Sequence, residues 1–183
     1  MEGDRVFVLT MVLALAGLKA VRRVTGVKAM IKWPNDLYVG TKKLAGVLTE
    51  FSMRGKQVDW AVLGMGTNVG WHPDVPEGGG APGTSLLEET GQRVSRNKLL
   101  IEILTGFEAL YRDVVAGSMK ALYEEWNQNC LVLGKEVVVE SDRERIDGKA
   151  LCIDDFGALI IEDASGHQRR ILTGDVSLRF ASP

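Results

Sequence analysis

Lys32-Trp33-Pro34-Asn35-Asp36, followed across a short turn by Lys43-Leu44-Ala45-Gly46, sets the architecture of this chain. Residues 28–32 read as a short strand. It stops at Pro34, which has no N–H to give to a ladder. Residues 37–39, a turn at Gly40-Thr41 and residues 43–51 then read as a hairpin. The hairpin displays Lys32 and Asp36 where the first strand breaks, and Lys43 near Gly46 at the start of the next. A fixed cation, an acid and bare backbone in one hairpin suit a reaction that must bring two anions together.

Outward from the hairpin, residues 6–24 read as a buried helix that Gly26 ends. Arg54-Gly55 turns into a strand over 57–63, which runs into Gly64-Met65-Gly66-Thr67-Asn68. Residues 70–83 carry Pro73, Pro76, Pro82 and five glycines, so they read as a loop, either a binding lid or a surface excursion. Thr84 or Ser85 can cap a short helix running to Thr90, and Ser95 a long one. Leu100, Ile103, Phe107, Leu110 and Val114 recur at helical spacing and read as its core face. A third helix is expected over 119–129. From Leu133-Gly134 the pattern becomes short strands over 137–140, 149–153, 158–162, 168–172 and 176–180. Their turns are placed at Asp147-Gly148, Phe156-Gly157 and Ser165-Gly166. Five such strands fit a small β-barrel appended to the first unit. The expected fold class is α+β, a mixed sheet backed by helices over residues 1–132 and the barrel over 133–183.

Bulk properties narrow the function classes. At 45% hydrophobic against 25% charged residues, a packed core is expected rather than disorder. A net charge of -2 has no basic excess of the kind nucleic-acid binding needs. The apolar run over 6–18 is shorter than the ~20 residues of a membrane span. It follows Glu2, Asp4 and Arg5, not the basic segment of a signal peptide. Cys130 and Cys152 have neither metal nor redox spacing and read as reduced thiols of a cytoplasmic protein. His72 and His167 lack ligand spacing, and no metal ligand is assigned.

Among the residues that can carry chemistry, Lys43 at a strand start is ordinarily a solvated charge. Gly46 changes its context, because glycine weakens a strand and a ligand lying against the backbone is a good reason for one. Gly64 and Gly66 follow the same logic, and the Asn68 amide can read the edge of a heterocycle. Asp36 can orient an incoming amine or hold Mg²⁺, or it can cap a turn. Trp33 can be a ligand wall, though a tryptophan beside proline is more often a packing anchor.

Taken in order, Lys32-Trp33-Pro34-Asn35-Asp36, Lys43-Leu44-Ala45-Gly46-Val47-Leu48-x-Glu50 and Gly64-x-Gly66-x-Asn68 resemble the biotin protein ligase family. Residues 95–129 and Gly174-Asp175-Val176-Ser177-Leu178-Arg179 are similar to its later helices and its SH3-like C-terminal barrel. The resemblance implies a class II synthetase-like catalytic domain, truncated at its N-terminus. It implies biotin and MgATP as substrates, biotinyl-5′-adenylate as intermediate, and a biotin carboxyl carrier domain as acceptor. By the same resemblance Lys43, Asp36 and Lys32 are the catalytic residues. Lys43, Gly46, Gly64 and Gly66 bind biotin; Lys32 and Asn68 bind the nucleotide. Lys43 would offset the repulsion between carboxylate and α-phosphate, and Asp36 would assist the acceptor lysine. The family's Gly-Arg-Gly-Arg-type loop has no counterpart in this sequence. The expectation is that a homodimer partner or a complementing N-terminal half covers the sheet edge and helix face left open. The rival expectations are a ligase-like module that binds without catalysis, and a lipoate or other acyl ligase.

Overall fold

The computed structural model describes residues 2–74, 81–140, 145–172 and 174–178. The elements run α1 (Phe7–Thr25), β1 (Met30–Lys32), β2 (Asp36–Val39), β3 (Lys42–Arg54), β4 (Gln57–Thr67), α2 (Leu86–Thr90), α3 (Arg96–Val115) and α4 (Met119–Asn129). They continue with β5 (Glu136–Glu140), β6 (Arg145–Ile153), β7 (Leu159–Glu162), β8 (Gln168–Ile171) and β9 (Asp175–Leu178). The strands form two sheets, β1-β2-β3-β4 and β8-β7-β6-β5-β9. Every ladder within them is antiparallel. Parallel contacts occur as single bridges, Ile31 to Cys130 and Lys43 to Gly83. The glycine run at 78–80 and the end of the fifth expected C-terminal strand lie outside the described residues.

The helix α1 is the centre of the first layer. Val8 through Leu18 are buried almost without interruption, because the helix has the sheet on one side and α3 on the other. Gly17 lies under Met65 of β4, and Gly106 of α3 meets Ala16. The Thr10 and Thr49 hydroxyls share a hydrogen bond of 2.8 Å between helix and sheet. Gly26 ends α1 in the left-handed conformation at φ 74°. The Arg22 guanidinium donates to the Ala29 carbonyl at 2.6 Å and to Asn129 Oδ1 at 2.6 Å, joining the helix end to the chain before β1 and to α4.

Three expectations are corrected. The strand over 57–63 does not end at the glycines; β4 continues through Gly64 and Gly66 to Thr67, paired to β3 across this stretch. Asp147-Gly148 is not a turn but lies inside β6, opposite Val138 and Val137. Glycine is needed there because a Cβ would stand 2.3 Å from the Glu162 carbonyl oxygen of β7. Leu100 is 54% exposed rather than core; Leu99, Ile103 and Val114 carry the buried face of α3. Phe156-Gly157 and Ser165-Gly166 are turns as expected, with the glycines at φ 83° and 78°.

The second sheet is joined to the first part of the chain by the side chains of Trp33, after β1, and Asn127 of α4. The buried Trp33 indole N–H donates to the Gly157 carbonyl at 2.9 Å, so the packing-anchor reading of this residue holds. Asn127 of α4 accepts from the Ile153 N–H at 2.9 Å. Two apolar surfaces stay open. On the face of β3 and β4 away from α1, Leu48, Trp60 and Val62 are exposed, and α3 exposes Leu100, Ile101, Leu104 and Val115. Among the described residues the second edge of β4 carries no ladder.

Candidate functional site

Cross-strand register builds the site. Lys32 pairs with Asp36, Asp36 with Gly46, and Gly46 with Gly66. Residues directly opposite in antiparallel pairs share a face, so these four form one row across all four strands. Gly64 lies on the same face, opposite Leu48. Lys43 joins the row through its side chain: Nζ is 2.7 Å from Asp36 Oδ1, with Asp36 mostly buried and Lys43 half exposed. The Asn35 amide donates to the Val47 carbonyl at 2.6 Å, and the Val47 N–H returns to the Asn35 carbonyl at 2.9 Å. This clamp fixes the loop before β2 on β3 and so places Asp36.

The three glycines have different reasons to be glycine. A Cβ on Gly46 would stand 2.9 Å from Asp36 Oδ1 and 3.4 Å from Lys43 Nζ. Its bareness makes room for the ion pair, a reason within the protein that sequence reasoning did not foresee. Gly66 meets nothing within 4 Å, and Gly64 only the Leu48 carbonyl at 4.0 Å. Their faces are open, and nothing in the fold itself requires glycine there.

The row borders a cavity of about 890 Å³ whose lining includes Lys43, Gly46, Gly66, Asn68, Trp71 and Arg96. Of the predicted site residues, Lys32, Asp36 and Gly64 lie outside this lining. Lys32 instead lies over the Tyr38 ring, 5.2 Å from its centroid, two strands from the mouth. Asn68 is held by its backbone, N–H to the Leu44 carbonyl at 2.9 Å, and its amide nitrogen donates to the Thr84 carbonyl at 2.9 Å. Its Oδ1 therefore remains as the group to meet a heterocycle donor. The Lys43 backbone is bracketed by the far limb of the 70–83 loop, its N–H donating to Pro82 at 2.7 Å and its carbonyl accepting from Thr84 at 2.9 Å.

Sequence reasoning left Trp71 and Arg96 of the cavity lining unnamed and gave His72 no role. Arg96 opens α3, capped by Ser95, whose hydroxyl accepts from the Lys98 N–H. A residue just inside a capped helix start and beyond a long loop carries no spacing signal toward Lys43. His72 Nε2 lies 3.0 Å from Glu88, which also takes Lys42 Nζ at 2.7 Å. The Lys42 ammonium is the chief cause holding the Glu88 carboxyl below the usual range. Cys130 is buried, and that burial pushes its thiol up to about 11, so it is inert. Among the described residues no cluster of three His, Cys, Asp or Glu is placed to hold a metal ion.

The open faces of Gly66 and Gly64 give a test. Gly66→Val adds a branched side chain to open space, so the melting temperature should stay within a few degrees. A ligand seated against that backbone should bind about 10- to 100-fold more weakly, the range overpacking of a filled site costs. Isothermal titration with biotin, the ligand that the sequence resemblance implies, reads the difference. Undiminished biotin binding would show that the ligand lies elsewhere.

A lysine–carboxylate pair and bare backbone on a four-stranded sheet thus stand beside a cavity large enough for a nucleotide-sized ligand. The profile of the Biotin/lipoate A/B protein ligase family matches residues 1–68, and that of the Biotin protein ligase C terminal domain matches residues 132–179. A biotin–[acetyl-CoA-carboxylase] ligase of Paracoccus denitrificans is 30% identical over 87% of this chain and 68% of its own length. The bifunctional ligase/repressor BirA of Bacillus subtilis is 32% identical over 93% of this chain and 52% of its own. The solved Aquifex aeolicus biotin protein ligase in complex with biotin and ATP superposes with a TM-score of 0.77 at 30% identity, over 93% of this chain and 70% of that one. This chain belongs to the biotin protein ligase family. It spans about half the length of the Bacillus relative it matches.

Proposed function

We propose that this chain carries out biotin protein ligation. It makes biotinyl-5′-adenylate from biotin and MgATP and transfers the biotinyl group to a lysine of a biotin carboxyl carrier domain. The observation that carries the reading is the row Lys32–Asp36–Gly46–Gly66 with Lys43 Nζ 2.7 Å from Asp36. In the first step a biotin carboxylate oxygen attacks the α-phosphorus and pyrophosphate leaves. Lys43 stands between the two anions and stabilises the charge that develops. Lys32 holds phosphate from the far end of the row. Gly46, Gly64 and Gly66 let biotin lie against the strands, and Asn68 Oδ1 accepts from the adenine amino group. In the second step the acceptor amine attacks the acyl carbon, AMP leaves, and Asp36 orients the amine and takes its proton.

Mg²⁺ enters as part of MgATP, coordinated by phosphate oxygens. Among the described residues no cluster of three His, Cys, Asp or Glu is placed to cage it, and Mg²⁺ beside phosphates usually needs no such cage. The chain is read as two units, 1–132 and 133–183, a division supported by the two separate sheets. The second unit is read as the family's SH3-like barrel, supported by its five antiparallel strands. A covering polypeptide, a second copy or a complementing N-terminal half, is part of the same reading. The exposed β4 edge and the apolar stripe on α3 support it. A cytoplasmic location fits the two free thiols, Cys130 and Cys152. No helix among the described residues is long and apolar enough to cross a membrane.

The test is a transfer assay with purified chain, biotin, MgATP and a carrier domain, read by the mass of the acceptor. A biotin-sized gain is expected. Absence of any gain, with and without an added N-terminal ligase segment, would leave a binding module in place of an enzyme. Gain of lipoate in preference to biotin would move the substrate to the family's other branch.

A further inference from the structure

His72 has no assigned role, and its ring stands between two groups that only accept. Nδ1 lies 3.0 Å from the Pro73 carbonyl oxygen, and Nε2 lies 3.0 Å from Glu88 Oε2. A neutral imidazole has one N–H and satisfies one of them; the imidazolium donates to both. Glu88 stays ionised because Lys42 of β3 is on its other oxygen. Glu89, the next acid on α2, is occupied by the Thr84 hydroxyl at 2.6 Å, and Asp74 is the nearest acid on the segment of His72 itself. The ring also rests on the far limb of the loop, since a Cβ on Gly83 would stand 3.0 Å from Nδ1. That limb is bonded to the Lys43 backbone on both sides. The neighbours of His72, Trp71 and Pro73, line the same cavity as Lys43 and Asn68.

We propose that His72 is a positioning residue: as imidazolium it fastens residues 71–74 to α2 and keeps Trp71 and Pro73 in the wall of the Lys43 cavity, so that the cavity's ligand is held less tightly once His72 loses its proton. The ligand is the adenylate of the preceding reading, on which this part rests. The imidazolium makes both contacts and the neutral ring only one, so the fastening weakens when the ring gives up a proton.

The experiment measures binding of a non-hydrolysable sulfamoyl analogue of biotinyl-5′-adenylate to the full chain from about pH 5 to pH 8, the interval in which histidines in general change charge. Affinity is expected to fall about tenfold from the acidic to the basic end, the effect of losing one charge-assisted hydrogen bond. His72→Gln should bind weakly and without pH dependence. His72→Arg, which keeps a cation, should restore affinity at high pH. His167→Gln, the control at the other histidine, should keep the native profile. The same profile in His72→Gln as in the native chain would overturn the proposal. A second readout needs no ligand. Trp71 emission, assigned by its loss in Trp71→Phe, should change over the same range, with its midpoint moved to lower pH in Glu88→Gln. Emission that is flat with pH would overturn the fastening itself. If the analogue binds at no pH while the emission change persists, the adenylate reading fails and the fastening stands.

Discussion

If the proposed reaction is this chain's, Lys43→Ala is expected to slow formation of the acyl-adenylate by about 10²-fold or more, measured as pyrophosphate release with biotin and MgATP, while the protein stays folded. The magnitude is that of removing one preorganised group aimed at developing charge. The fold supplies the preorganisation. Lys43 is held at its backbone by Pro82, Thr84 and the bridge to Gly83, and at its ammonium by Asp36 at 2.7 Å. Loss of the ammonium also strips Asp36 of its partner, so part of any effect could arise through the carboxylate. Asp36→Asn separates the two contributions. It keeps the Lys43 charge, so adenylate formation should suffer less than in Lys43→Ala, whereas transfer to the carrier lysine should suffer more. The double variant completes the cycle, and a coupling energy near zero would mean that the two residues act in separate steps. Lys43→Arg should not rescue fully, because a planar fork does not replace a point charge in the space Gly46 leaves. An unchanged rate in Lys43→Ala would remove the lysine from the chemistry.

Trp33→Ala destabilises the chain by about 3–5 kcal/mol, the usual cost of truncating a buried aromatic. Trp33 is 1% exposed. Its ring fills the core beneath the strand break, and its N–H donates to Gly157 in the second sheet. That carbonyl belongs to a turn whose glycine has φ 83°, with the Phe7 ring where a Cβ would be. The one side chain therefore ties the end of β1 to the β6–β7 turn, on which Phe7 of α1 also packs. Trp33→Phe keeps most of the apolar contact and leaves the Gly157 carbonyl without its donor, so its cost should be smaller, about 1–3 kcal/mol. Urea unfolding monitored by circular dichroism distinguishes these values. A Trp33→Ala chain within 1 kcal/mol of native would mean that the two sheets are held by other contacts, with Asn127 the first candidate.

The helices and most of the C-terminal strands were legible because their signals are local. Gly26 can end a helix at positive φ wherever the helix lies, and Ser85 and Ser95 each cap from their own side chain. The hairpin of β2 and β3 was legible for the same reason. Two mistakes came from glycines whose purpose is not local. Gly148 reads as a turn after aspartate, but it is a strand residue pressed by the β7 backbone. Gly64 and Gly66 read as a strand end, but β4 passes through them because β3 supplies a partner at each position from Leu63 to Thr67.

The candidate site divides along the same line. The residue types that the proposed chemistry uses were legible in the order Lys32, Asp36, Lys43, Gly46, Gly64, Gly66, Asn68, since a linear motif specifies groups and approximate spacing. How those groups meet depends on strand register, which a one-residue slip would reverse. Register puts Lys32, Asp36, Gly46 and Gly66 in one row and turns Gly46 into the space for an ion pair. The parts that linear order could not disclose, Trp71, Arg96 and the His72–Glu88 contact, come from segments that meet only after α2 and α3 have packed beside the sheet. Their encounter is a property of long-range packing, and no local propensity or spacing encodes it.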